Sequence, residues 1–264
     1  MIPCILFRYS QGFEEELRIA KKHFVVKEQR TTIHANSLVI PRYSVLPYYK
    51  ELQNDLEIMH SKLLNDFTEH LFVANLSWWY PILEKLTPRT WFQLHEIPDK
   101  GPFVLKGSTN SKKFEWNTHM YAETKKDAIQ VHGRLMRDGL IGSQDIVIRE
   151  YVPLKKLTQG FQGLPISEEY RFFILDGEIL AGGFYWSSHT EDLPEKPDVS
   201  EVPSSFLQKV MKAIGDRIRF YVIDVARTAS GEWIVIELND AQMSGLSDVD
   251  PEVLYSNLKK RLTS

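Results

Sequence analysis

The stretch Tyr221-Val-Ile-Asp-Val-Ala-Arg-Thr-Ala-Ser-Gly-Glu-Trp-Ile-Val-Ile-Glu-Leu-Asn239 decides how this sequence is read. Two apolar runs flank Ala229-Ser230-Gly231, and a small-residue turn between such runs predicts a β-hairpin. Closing the hairpin at Ser230-Gly231 brings Asp224 level with Glu237. Glu237 and Asn239 are two residues apart, so they share one face of the second strand. Three oxygen-bearing side chains then stand on one wall. Hard divalent cations such as Mg2+ favour this donor set and complete their shells with water and phosphate oxygens. A half-exposed hairpin with ordinary polar residues fits the same spacing, so the rest of the chain has to decide.

Upstream, Ser167 to Ala181 reads as two strands around Asp176-Gly177, a dipeptide favoured in tight turns. Glu169 and Arg171 share a face of the first strand, as an exposed cross-strand ion pair would. Asp145 to Val152 is a strand stopped by Pro153, and Lys125 to Asp138 is a helix with Ala128, Val131 and Leu135 in one stripe. Pro102 to Lys106 is a short strand ending in lysine, and a charge that terminates a buried strand needs a partner. Gly107 to Lys113 is small, hydroxyl-rich and basic, which suits either polyphosphate oxygens or a solvated turn. It lacks the spacing of a Walker loop.

Pro98 to Pro102 is a concentrated loop signal and sets a boundary between residues 1–98 and 99–264. In the first part, Ile2 to Arg8, Gly12 to His23 and Phe24 to Val26 predict strand, helix and strand, a small α/β unit. Tyr49 to Leu64 predicts one helix, with Leu52, Leu56, Met59 and Leu63 at helical spacing. Between these, two prolines bracket Arg42, Tyr43 and Ser44. A surface turn is the preferred reading there, and an arginine reaching an anionic ligand is the sharper one. Downstream, Asn239 to Gly245 is an amide- and hydroxyl-rich loop. Asp250-Pro251 then opens a last helix, with Asp250 as its cap.

Bulk properties narrow the class. The 264 residues carry 43% hydrophobic and 25% charged side chains, ordinary for a globular protein that buries a real core. A formal net charge of -3 gives no general case for nucleic acid or membrane binding. Cys4 is the sole cysteine, which excludes an intrachain disulfide. A cytoplasmic setting is the expectation, since no signal-peptide pattern and no membrane-length apolar run is found. The histidines are scattered, and His119 and His132 read as structural or exposed.

In this order the motifs resemble the ATP-grasp superfamily over roughly Pro102 to Ser247. A strand ends in lysine, a hydroxyl-rich loop and a helix follow, and a strand ends in Arg-Glu-Tyr-Val. Then come Glu-x-Arg and Asp…Glu-x-Asn. The runs R-Y-S-V-L-P, N-S-K-K-F and E-L-N-D-A-Q-M-S-G-L also resemble a branch found in bacteria and phages. The cell-division-cycle-123 family is similar more distantly. The resemblance implies an α+β fold of two grasp lobes preceded by a small α/β domain. It implies ATP and Mg2+ as cofactors.

By the same resemblance Lys106 holds the phosphates, and Ser108 to Lys113 form a lid with Lys112 or Lys113 as a contact. Glu150, Tyr151 and Val152 are the adenine-reading hinge, and Glu169 belongs to the nucleotide site. Arg171 faces the terminal phosphate or an acyl phosphate, and Asp224, Glu237 and Asn239 bind metal. Where many ATP-grasp ligases carry an arginine, two residues before the metal aspartate, this chain has Val222, and Arg227 is the substitute candidate. Pro153 to Lys156 offers no acid for the ribose. The implied reaction is ligation of a carboxylate to an amine or similar nucleophile through an acyl phosphate. The substrate is expected near Arg42, Tyr43, Ser44, Gln242 and Ser244. An ATP-binding assembly factor and a phosphotransferase are the alternatives.

Overall fold

A computed structural model describes residues 1–193 and 195–263. The N-terminal part holds β1 (Ile2–Phe7), α1 (Glu14–His23), β2 (Val25–Lys27), β3 (Ser37–Arg42), α2 (Tyr49–Ile58) and β4 (Lys62–Leu63). Its strands pair in parallel in the order β2-β1-β3-β4. β1 and β3 are nearly continuous apolar runs because both faces of this parallel sheet are covered. The predicted helix Tyr49 to Leu64 ends early. His60 takes a left-handed backbone (φ 53), and Leu63 is buried as part of β4 beside β3. Its apolar spacing imitates a further helical turn.

Two short helices follow, α3 (Phe67–Ala74) and α4 (Leu76–Leu83). Asp66 caps α3 by accepting from the Glu69 N–H, and Glu69 returns the bond, a reciprocal cap that fixes the helix start.

Next comes an antiparallel sheet in the order β5-β8-β6-β7, built from β5 (Thr90–Trp91), β6 (Lys100–Gly107), β7 (Tyr121–Thr124) and β8 (Ile146–Glu150). α5 (Lys125–Leu135) covers one face, its stripe Ala128, Val131 and Leu135 packed on Phe103, Leu105 and Ile148. The chain crosses to the second lobe through 150–156, where β9 (Lys156–Gln159) pairs with β10 (Pro165–Ser167).

The second large sheet has the order β12-β11-β13-β14, from β11 (Glu169–Leu175), β12 (Glu178–Phe184), β13 (Phe220–Arg227) and β14 (Trp233–Asp240). Asp176 and Gly177 both have positive φ (48° and 76°), which a two-residue hairpin turn requires. α6 (Ser204–Ile214) and α4 pack on one face against Phe172, Ile174, Tyr221 and Ile223. The other face, with Phe173, Leu175, Phe220 and Val222, meets β1, β3 and the last helix, α7 (Pro251–Thr263). Asp250 caps that helix by accepting from the Glu252 N–H at 2.7 Å. Among the described residues no helix is long and apolar enough to cross a membrane.

Candidate functional site

The decisive hairpin is β13–β14, and its register places Asp224 directly opposite Glu237 and Val222 opposite Asn239. Directly paired residues of antiparallel strands share a face with Cβ atoms roughly 5 Å apart. Past that pair Val225 faces Val235, so Ile236 is an extra residue. Such a bulge re-aims side chains, and here neighbouring Ile236 and Glu237 both line a cleft between the two lobes.

The cleft is open to solvent on one side and is lined by both lobes. Val104, Lys106 and Arg149 line it from the first sheet, and Ile234, Ile236 and Glu237 from β14. Glu150, Tyr151 and Val152 close its end where the chain crosses between lobes. Ser111, Lys113, Trp116 and Met120 come from the segment after β6. Two hinge N–H groups are already used, Glu150 on the Arg89 carbonyl at 2.8 Å and Tyr151 on the Pro102 carbonyl at 3.0 Å.

Charge is concentrated at one end. The Lys106 ammonium donates to the Glu237 carboxylate across the cleft. Burial alone would raise the Glu237 pKa, yet Lys106, Lys113 and Arg149 together hold it down to about 2. Lys113 lies over the rings of Tyr185 and Trp186 and donates to the Tyr185 hydroxyl at 2.6 Å. Glu169 is buried, and burial pushes its pKa up. It accepts from the Ser167 hydroxyl and from the Trp186 indole at 3.0 Å.

Asp224 is held differently. Arg171, its cross-strand neighbour on β11, grips it with both arms, Nε to Oδ1 at 2.8 Å and Nη2 to Oδ2 at 2.7 Å. Burial works against the charge on Arg171, and Asp224 more than reverses it, so the Arg171 pKa is raised. Arg171 also donates to the Gly245 carbonyl at 2.8 Å. Asp224 is 1% exposed, and neither it nor Asn239 lines the cleft as Glu237 does. The oxygen-only set Asp224, Glu237 and Asn239 suits Mg2+ in chemistry and register. Among the described residues no cluster of three histidine, cysteine or acidic side chains is placed to hold a metal ion.

Several expected site residues lie elsewhere. Arg227 is three residues beyond Asp224, so strand alternation turns it to the opposite face. There it stacks over Trp233 and meets Glu168 and Glu201 at 3.8 and 3.9 Å, which removes it from the catalytic set. Lys112 is tied to Asp138 at 2.6 Å and does not line the cleft. The Ser108 N–H is held by the Asp145 carbonyl at 2.8 Å, and Ser108 does not line the cleft.

The segments around Arg42 and Gln242 do converge, but as structure. Arg42 is buried and donates to Glu16 at 2.8 Å and to the carbonyls of Ala241 and Ser244. That corrects both the surface turn and the ligand-reaching arginine. Gln242 is fully buried and bonded to Tyr49 and Asn65, so it offers no substrate contact. The Ser244 hydroxyl donates to the Asp240 carbonyl. Tyr43 packs half-buried on the core under α2, and Ser44 is exposed. Arg149 is the cleft residue that motif reading passes over. It stands in the Arg-Glu-Tyr-Val run, but an inward arginine is recognised only once the opposing lobe is in place.

A family model described as the ATP-grasp domain of the R-two-K clade, family 3, matches residues 93–258. A search of curated proteins finds no match. Solved structures resemble the whole chain. D-cycloserine synthetase DcsG superposes with a TM-score of 0.60 at 13% identity, covering 98% of this chain and 99% of that one. A RimK domain ATP-grasp protein from Sphaerobacter thermophilus gives 0.59 at 12%, covering 97% and 99%. The ATP-grasp ligase PsnB, complexed with a minimal precursor, Mg and ADP, gives 0.58 at 12%, covering 99% and 98%. At these identities the likeness establishes the fold.

Proposed function

The chain belongs to family 3 of the R-two-K clade of ATP-grasp domains, and from that premise we propose that it is an ATP- and Mg2+-dependent ligase. It joins a carboxylate to an amine or similar nucleophile, with residues 99–264 as the grasp and 1–98 as the domain before it. The observation that carries the reading is the facing pair of walls. Lys106 and Lys113 project from the first lobe and the segment after it toward Glu237 on β14. Polyphosphate fits between such cations, and a divalent ion fits on the acidic side.

The Glu150–Val152 backbone takes the adenine edge. Lys106 and Lys113 hold phosphate oxygens, and Arg171 stabilises charge on the terminal phosphoryl group as the substrate carboxylate attacks it. Asp224, on release from Arg171, with Glu237 and Asn239 would hold Mg2+, and the ion would neutralise phosphate charge. The β–γ bond breaks as ADP leaves, and the nucleophile then opens the acyl phosphate, with phosphate leaving. DcsG is named a D-cycloserine synthetase, and PsnB was also solved with a precursor peptide. Either a small acid or a peptide carboxylate is therefore a reasonable first substrate class to screen.

Calorimetric titration of Mg·ATP into wild type and Glu237→Ala tests the reading. Wild type should bind, and the variant should weaken binding at least tenfold. Phosphate release should then appear with a matching acid and amine. A wild type that binds no nucleotide at any metal concentration would overturn the proposal.

A further inference from the structure

Among the described residues three arginines are buried, Arg42, Arg149 and Arg171. A buried charge is tolerated when it is paired and hydrogen-bonded. Arg42 has Glu16 at 2.8 Å, and Arg171 has both oxygens of Asp224. Arg149 has no carboxylate in ion-pair contact, and Glu237 acts on it only from farther off. Its Nη1 donates to the Ile236 carbonyl at 2.6 Å and its Nη2 to the Thr87 hydroxyl at 2.5 Å, both neutral acceptors. Its Nε is buried with no hydrogen-bond partner. Burial draws the Arg149 pKa down to about 10, the reverse of the rise at Arg42 and Arg171.

The unpaired arginine is also the one that lines the cleft. It stands opposite Val104 on β6, two residues from Lys106 and on the same face of the sheet. Its guanidinium reaches β14 beside Glu237. Glu237 is already matched by Lys106, and Lys113 is a third cation close enough to act on it. This end of the cleft therefore carries more positive than negative charge. A structural arginine would be expected to have a counter-ion, as Arg42 does. A ligand anion explains why this one has none.

We propose that Arg149 is a nucleotide-binding residue whose missing counter-ion is the polyphosphate chain of the bound nucleotide. The inference rests on the nucleotide-site reading above and adds to it a third phosphate cation beside Lys106 and Lys113. Its bonds to the Ile236 carbonyl and the Thr87 hydroxyl fix the guanidinium in the cleft wall.

The test is titration of adenosine, AMP, ADP and ATP, each with Mg2+, into wild type, Arg149→Met and Arg149→Gln, with thermal melts of the free proteins as a fold control. Arg149→Met should weaken ATP and ADP at least tenfold and leave adenosine within twofold. Arg149→Gln keeps a hydrogen-bond donor without the charge, and it should weaken ATP comparably. If Arg149→Met fails to fold, Arg149→Gln alone decides. Unchanged ATP affinity in a folded variant would overturn the proposal. So would an equal loss for adenosine and ATP, which would assign Arg149 to the base. A wild type that binds none of the four would sink the nucleotide reading itself, and the assignment of Arg149 with it.

Discussion

Two buried polar clusters lie on the same strand, β14, and they are built on opposite principles. At its end, Asp240 joins the N-terminal domain to the grasp sheet. It accepts from Asn65 at 2.8 Å, from the Gln242 backbone at 3.0 Å and from Tyr49 at 3.2 Å, and lies 3.3 Å from His70. One carboxylate is surrounded by side chains that are themselves bonded to each other, and Asn65 also spans the Phe220 backbone. Three residues earlier, Glu237 sits on an open cleft with one lysine on it and further cations nearby. The first cluster is closed and satisfied. The second consists of charge pairs that, on the proposed function, exchange for a bound nucleotide and its metal. Satisfied networks hold a domain seam, and exchangeable pairs make a site.

Removing the centre of the closed cluster gives the largest effect. Asp240→Ala would strand the donors of Tyr49, Asn65 and Gln242 in a buried seam. The expected loss is about 3 kcal/mol or more, since each buried donor left unsatisfied costs about 1–3 kcal/mol. Urea unfolding measures it, and the folded fraction should keep wild-type Mg·ATP affinity. A loss of nucleotide binding in the folded fraction, with stability intact, would erase the distinction between seam and site.

The same contrast explains what is legible in the sequence. Asp224 opposite Glu237 follows from one turn and the two-residue strand period, both local. Lys106 is visible because a charge at a strand end needs a partner, and it has one. Arg42 and Gln242 mislead because their partners, Glu16, Asn65 and Tyr49, are remote in sequence and reach them only through the domain seam. Arg149 escapes notice for the same reason. Arg227 is another matter: its odd spacing from Asp224 already sets it on the other face, and strand alternation alone is sufficient to exclude it. The helices α3 and α4 are illegible because their apolar residues face several surfaces at once, with Trp79, Tyr80 and Leu83 packed on the grasp core.

The open cluster should show exchange of partners. Lys106 occupies Glu237, so a metal ion arriving alone has to displace an ammonium, whereas Mg·ATP supplies phosphate for the lysine as it takes the carboxylate. Lys106→Met should therefore weaken Mg·ATP at least tenfold yet bind Mn2+ alone several-fold more tightly than wild type. Electron paramagnetic resonance of free Mn2+ reads this without any turnover. Weaker Mn2+ binding in a folded Lys106→Met would show that the pair does not guard the metal site.

The smallest effect is the pH dependence of that pair in the free protein. Glu237 has a folded pKa of about 2 against an ordinary 4.5, so between these values the unfolded chain holds more protons than the folded one. The stabilisation is complete above 4.5 and is lost as pH falls toward 2. The glutamate keeps a fifth of its side chain exposed, and solvent screening limits the contribution to about 1 kcal/mol. Asp138, held near 2 by Lys112, titrates in the same window but does so in both proteins compared, so it cancels. The stability advantage of wild type over Glu237→Gln in urea should thus shrink on acidification through this range and stay flat above it. A constant advantage down to the lowest pH would mean that Glu237 is no more acidic folded than unfolded. The pairing with Lys106 would then be too weak to keep a cation off the site, and the contrast with the Asp240 seam would rest on geometry without energy.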